Sequence, residues 1–196
     1  MKEFLLTACL VLGFSTTAGA QDTPQWEIFG GYSHLGTNLG GQDQQHSNGW
    51  HASIAENMNS WFGGVADLSG HYADAIFVLR PLGAAESESF NAWAYSLMFG
   101  PQVTFRKLKS VNIFSHYLIG LVHARANEVA FPQPFTDTKW AHALGFGVDL
   151  KTPNKRLAVR IVQVDFLMTH FVKSIDKEAQ DNWRVSGGLV LRLGHK

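Results

Sequence analysis

Trp140-Ala141-His142-Ala143-Leu144-Gly145-Phe146-Gly147-Val148-Asp149-Leu150 alternates strictly between two classes of side chain. Trp140, His142, Leu144, Phe146, Val148 and Leu150 share one parity, and Ala141, Ala143, Gly145, Gly147 and Asp149 share the other. Period two is the signature of a β-strand, whose successive side chains point to opposite faces. The composition of the two faces then decides what kind of sheet this is. A soluble barrel turns its bulky apolar face inward and clothes the outside in Lys, Glu and Thr. Here the second face is small, with one carboxylate, which suits a narrow interior and leaves the bulky face outside. Two further segments repeat the division. Trp183, Val185, Gly187, Leu189, Leu191 and Leu193 oppose Asn182, Arg184, Ser186, Gly188, Val190 and Arg192. Trp93, Tyr95, Leu97, Phe99, Val103 and Phe105 oppose Ala92, Ala94, Ser96, Gly100, Gln102, Thr104 and Arg106. An apolar exterior around a small-residue interior predicts an all-β, antiparallel, up-and-down barrel that spans a membrane.

Working outward, the same period marks eight strands at 25–35, 48–56, 61–72, 90–106, 111–125, 139–151, 156–170 and 181–194. Their connections alternate in length. Residues 57–60, 107–110 and 152–155 are tight polar turns, whereas 36–47, 73–89, 126–138 and 171–180 are longer and rich in Gly, Gln, Asp, Glu, Pro and Ser. Short turns on one rim and long loops on the other are the habit of outer-membrane barrels, in which the long loops face the exterior. Strands two, five and seven fit less cleanly. Glu56 shares parity with Trp50, and strand five is ambiguous between its faces. In strand seven Arg160 differs in parity from Gln163 and Asp165, which one bulge near Ile161-Val162 would reconcile by turning all three inward.

Composition agrees with this architecture. Charged residues are 16% of the chain, below the ~25% of a typical soluble domain. The 16 basic and 16 acidic residues balance, so no basic excess marks a nucleic-acid surface. The N-terminus reads as a secretory signal peptide over 1–20: Met1-Lys2-Glu3, an apolar run from Phe4 to Phe14, then Ala18-Gly19-Ala20. That run is too short for the ~20 residues a spanning helix needs. Leu6-Thr7-Ala8-Cys9 resembles a lipoprotein cleavage site but lies too early in the run. Cys9 is the only cysteine, so residues 21–196 form one barrel domain with neither a disulfide framework nor a cysteine-ligated metal.

Phe29-Gly30-Gly31-Tyr32-Ser33, the stretch from Gly49-Trp50-His51-Ala52-Ser53 to Trp61-Phe62-Gly63-Gly64-Val65-Ala66-Asp67, and the closing Ser186-Gly187-Gly188-Leu189-Val190-Leu191-Arg192-Leu193 resemble the OmpA-like outer-membrane β-barrel family. The resemblance implies an eight-stranded barrel in the outer membrane of a Gram-negative cell, without a periplasmic domain. It also implies an assembly signal read by the barrel-insertion machinery, carried here by Ser186, Gly188, Leu191 and Leu193. The terminal aromatic usual in that signal is replaced by Gly194-His195-Lys196.

Three groups of residues are candidates for function. Asp67, Arg106, Asp149, Arg160, Asp165, Arg184 and Arg192 face inward and are expected to pair into a network that fills the lumen, since unpaired buried charge is costly. Trp26, Trp50, Trp61, Trp93, Trp140 and Trp183 fall near strand starts and, with Tyr72, Phe105 and Phe171 near strand ends, are expected to form the aromatic girdles. The third group is histidine: His34, His46, His51, His71, His123, His142 and His170 read as scattered rim residues. A turn at 57–60 would set positions summing to 117 opposite one another and so place His46 against His71. Neither the spacing nor the loop position of His46 makes that a metal motif. No cofactor is expected.

Some outer-membrane barrels of this size act on lipid A and need a hydroxyl or carboxylate beside a histidine. Thr169 precedes His170, and His142 lies between Ala141 and Ala143, but neither histidine has an obvious hydroxyl and carboxylate at facing positions, although a Ser-His-Asp set could assemble across strands. The sequence therefore points to a non-enzymatic outer-membrane protein in contact with lipid and lipopolysaccharide, with loops 36–47, 73–89, 126–138 and 171–180 as its surface for an extracellular partner. The alternatives are a small passive, porin-like channel and a soluble periplasmic lipocalin-like barrel.

Overall fold

A computed structural model describes residues 23–37, 45–79, 86–127, 135–169 and 180–194. The expected signal peptide, His170 and Phe171 lie outside the described residues. Eight antiparallel strands, β1 (Trp26–Thr37), β2 (Gln45–Asn57), β3 (Phe62–Leu79), β4 (Glu86–Phe105), β5 (Val111–Asn127), β6 (Phe135–Lys151), β7 (Leu157–Thr169) and β8 (Gln180–Leu193), pair in sequence order, and β8 returns to β1 to close the barrel. Closure satisfies the backbone groups that an edge would leave bare. At the closing contact Gly31 lies opposite Gly188, and a Cβ on either would strike the backbone of the facing strand, at Gly187 or Gly30. The approach of β1 to β8 needs residues without side chains there.

The barrel is inside out relative to a soluble protein. Tyr32, Ile54, Phe99, Phe146, Ile161, Phe166 and Leu189 stand exposed on the outside, while Asp67, Asp149, Asp165, Arg160 and Arg184 are buried within. This fits an eight-stranded barrel, whose interior has room only for side chains. Apolar residues also share the interior: Met98, Leu118, Val122, Ala141, Ala143 and Leu167 form one cluster, and Phe29, Ala158 and Val190 another. The interior is packed, and the soluble lipocalin-like alternative, which needs a bulky apolar interior, does not describe it.

Two details of the expected strand map change, strand five is resolved, and the bulge expected in strand seven is present. The strands climb further on the long-connection side. Pairing of β3 with β4 continues from Ala73↔Ala92 to Leu79↔Glu86, so much of 73–89 is ladder where a loop is expected. Likewise 36–37, 45–47, 126–127, 135–138 and 180 belong to strands. These stretches lack the period-two division of the wall, yet a backbone ladder does not depend on that division.

The β2–β3 register differs by three positions from the expected one, since paired residues sum to 120. Met58 and Asn59 donate backbone hydrogen bonds to the Phe62 carbonyl, and the Asn59 carboxamide oxygen accepts from the amides of Trp61 and Phe62. The register is consequently Gly49↔His71 and Asn48↔Tyr72, so His46 does not oppose His71. Strand five resolves with Asn112, Phe114, His116 and Leu118 inward and Ile113, Tyr117 and Ile119 outward. Strand seven carries its irregularity between Arg160 and Gln163, which leaves Ile161 outside and turns Arg160, Gln163 and Asp165 inward.

Candidate functional site

The lumen holds two polar layers. The larger centres on Arg184 of β8, which is fully buried. Its Nη2 lies 3.0 Å from Asp67 Oδ1 of β3 and 2.8 Å from Asp165 Oδ2 of β7, and its Nε donates to the same Asp165 oxygen at 2.8 Å. Each carboxylate takes a histidine as well. His51 Nε2 meets Asp67 Oδ2 at 2.5 Å, and His116 Nε2 meets Asp165 Oδ1 at 2.8 Å. Gln163 Nε2 donates to Asp165, and its oxygen accepts from Arg160 Nη1 at 2.7 Å. Arg160 in turn pairs with Asp149, Nε to Oδ1 at 2.8 Å, with its guanidinium carbon 4.3 Å from the ring centre of Phe29 and 4.2 Å from that of Phe114. A cation between two aromatic rings gains from both quadrupoles.

The smaller layer lies nearer the short turns. Glu27 accepts from Arg106 Nη1 and Nη2 at 3.1 and 2.6 Å, from Arg192 Nε at 3.1 Å and from Asn57 Nδ2 at 3.0 Å. Two guanidiniums share one carboxylate here. The Asn112 carboxamide, turned with its oxygen toward them, accepts from Arg106 at 3.2 Å and Arg192 at 2.8 Å. Across both layers four guanidiniums (Arg106, Arg160, Arg184, Arg192) meet four carboxylates (Glu27, Asp67, Asp149, Asp165). The guanidiniums and carboxylates of the interior therefore balance one another, as a water-poor lumen requires.

All seven charges expected in the lumen are found there. Gln163 is inward as the expected bulge requires, whereas Glu27, His51, His116 and Asn57 were missed. Parity alone could have found Glu27, between Trp26 and Ile28, and His51, beside Trp50. His116 was hidden by the inward Phe114 and Leu118, which make strand five look apolar on both faces. The reading of His51 and His71 as rim residues is corrected, since both are buried in the lumen. His71 Nε2 lies 2.9 Å from Ser33 Oγ, and His51 Nδ1 lies 3.0 Å from Ser186 Oγ, which bonds to Ser33 as well.

Ser186, His51 and Asp67 thus stand in the order of a Ser-His-Asp set assembled across strands. Its geometry differs from the hydrolytic arrangement in two respects. The imidazole is reversed, Nδ1 toward the serine and Nε2 toward the carboxylate, where the hydrolytic arrangement has the opposite. All three residues are also buried in the packed lumen, with Asp67 ion-paired to Arg184.

On the outer wall Trp26 and Trp61 stand at the short-turn rim, while Trp50, Trp93, Trp140 and Trp183 stand toward the other. The second group merges with tyrosines and histidines: Tyr72 and Tyr95 share a 2.7 Å hydroxyl contact, and Trp93 packs against Tyr95 and His123. Tyr72 lies within β3 instead of at its end, yet points outward. Of the proposed assembly residues, Ser186 and Gly188 line the interior, whereas Leu191 and Leu193 are exposed near the short turns.

No family model matches the chain, and no curated protein matches it. Among solved structures, Neisserial surface protein A superposes with a TM-score of 0.63 at 12% identity, over 90% of this chain and 100% of that one. Ail, the attachment invasion locus protein of Yersinia pestis, superposes with a TM-score of 0.56 at 17% identity, over 86% of this chain and 99% of that one. Its complex with the heparin analogue sucrose octasulfate gives a TM-score of 0.56 at 15% identity, over 86% and 99%. The chain has the fold of these small eight-stranded outer-membrane barrels, the architecture that its OmpA-like resemblance implies.

Proposed function

We propose that this barrel resides in the outer membrane, anchored by its apolar wall, and serves a structural or surface-interaction role without catalysing a reaction. The observation that carries the reading is the outward belt of large apolar residues around an ion-paired interior, an arrangement stable only where the outside is lipid. The girdle tryptophans would sit at the two interfaces, the short turns in the periplasm and the long connections outside the cell. Neisserial surface protein A and Ail are by their names a surface protein and an attachment protein, which supports an outward-facing role for those connections. The burial and reversed imidazole of the Ser186-His51-Asp67 set support the absence of catalysis. Packing of the lumen by Arg160, Phe29 and Phe114 supports a sealed barrel over a porin-like channel.

The test is fractionation of the expressing cell, comparing boiled and unboiled detergent extracts on gels. Recovery in the outer-membrane fraction with a mobility shift on boiling is expected. Release as a soluble periplasmic protein would overturn the proposal. Ion conductance in planar bilayers that changes on neutralising Arg160 would overturn the sealed lumen alone.

A further inference from the structure

We infer that His34 and His46, on the outer wall near the long-connection rim, form a two-imidazole site for a divalent late transition-metal ion, independently of the function proposed above. His34 belongs to β1 and His46 to β2, and the ladder sets them diagonally, His34 opposite Asn48 and His46 opposite Gly36. Their rings are nearly parallel, and His34 Nε2 lies 3.2 Å from His46 Nδ1. Two nitrogens that far apart, each about 2.0–2.1 Å from one ion, subtend roughly 100° at it, an ordinary angle between neighbouring ligands.

The protonation pattern prepares one of the two. The Asn48 Oδ1 atom accepts from Tyr32 Oη at 2.6 Å and lies 2.8 Å from His34 Nδ1. A carboxamide oxygen has no proton to give, so His34 carries its proton on Nδ1 and presents a bare lone pair on Nε2. Holding a ligand histidine by its other nitrogen is how metal sites orient the ring. Without metal, His46 Nδ1 donates to His34 Nε2. On binding, neutral His46 moves that proton to its own Nε2, and both lone pairs meet the ion with no net proton release.

Trp183 walls the pair, its ring centre 5.6 Å from that of His34 and 6.1 Å from that of His46. Gly36 makes room for the indole, since a Cβ there would strike the Trp183 ring. Among the described residues no third ligand of the His, Cys, Asp or Glu type joins the pair, so water completes the coordination. Imidazole nitrogens with water select the late first-row ions, copper(II) most strongly.

The experiment uses the chain without a polyhistidine tag, folded in detergent micelles, and titrates copper(II) by calorimetry and tryptophan fluorescence. One equivalent is expected to bind. His34→Ala and His46→Ala should each weaken binding by about tenfold or more, and Asn48→Leu by about 10–100-fold through the ring it orients. His123→Ala, at a rim histidine bonded to Thr138, should leave it unchanged. Binding should quench the indole beside the pair, and Trp183→Phe should remove that quench while copper still binds. Every variant is checked for its mobility shift on boiling. Copper affinity unchanged in a folded His34→Ala/His46→Ala double variant, no binding by the parent chain, or a quench that persists in Trp183→Phe would each overturn the inference.

Discussion

Replacing Arg184 with leucine tests whether the charged lumen is a single interdependent structure. Arg184 is fully buried, and its guanidinium is the only cation within ion-pair reach of Asp67 among the described residues apart from His51. Its loss leaves Asp67 and Asp165 facing each other in a poorly solvated space, each with only a histidine or carboxamide partner. Removing one member of a buried ion pair costs about 3–5 kcal/mol, because the charge left behind keeps its desolvation penalty. Two carboxylates are stranded here, so the upper end is expected, about a 4,000-fold loss in the folding equilibrium.

The discriminating partner is the triple change Arg184→Leu, Asp67→Asn, Asp165→Asn, which removes the stranded charge and keeps the shape. It should recover most of the loss, since no uncompensated charge then stays buried. Urea titration in lipid vesicles, read by the gel shift on boiling, measures both. A loss under about 1 kcal/mol for Arg184→Leu, as for a surface ion pair, would refute the reasoning. So would a triple variant no more stable than the single one.

Three further outcomes follow from the same geometry. Phe99 stands mid-strand on the outer wall and Phe105 at the short-turn end of β4; Phe99→Arg should cost about 2–4 kcal/mol in bilayers and Phe105→Arg about 0–1, whereas a water-facing wall would tolerate both equally. Gly145→Ala would drive a methyl into Asp165 and His116, and should destabilise by about 1–3 kcal/mol in the same urea assay, with Gly64→Ala, whose Cβ meets nothing, as the silent control. Deleting Val162 removes the extra residue between Arg160 and Gln163 while leaving both inward, so the variant should still fold to a heat-modifiable barrel; deleting Val148 in β6, which shifts Asp149 to the outer wall, should not.

The alternation in strands four, six and eight was legible because a strand's faces follow from its period, whatever its neighbours. That period, with the alternating lengths of the connections, determined the barrel, its inverted polarity and the inward sense of seven charges. The bulge in strand seven was legible for the same reason, since Arg160 and Asp165 could share a face in no other way. What the sequence could not supply is which inward residues meet. Neighbouring strands pair in a register set by turn geometry: the turn at Asn57–Phe62 sets β2 against β3 so that His46 does not oppose His71, and the separate β1–β2 ladder brings His46 to His34. Contacts across the lumen, such as Asp67 with Arg184 or Glu27 with Arg106, depend on strand tilt and closure as well, which no local pattern encodes. In strands four, six, seven and eight the sequence by itself determined which face a side chain takes; only the closed barrel settled the faces of strand five and decided which partner each side chain finds, because partnership is fixed by register and curvature summed around all eight strands.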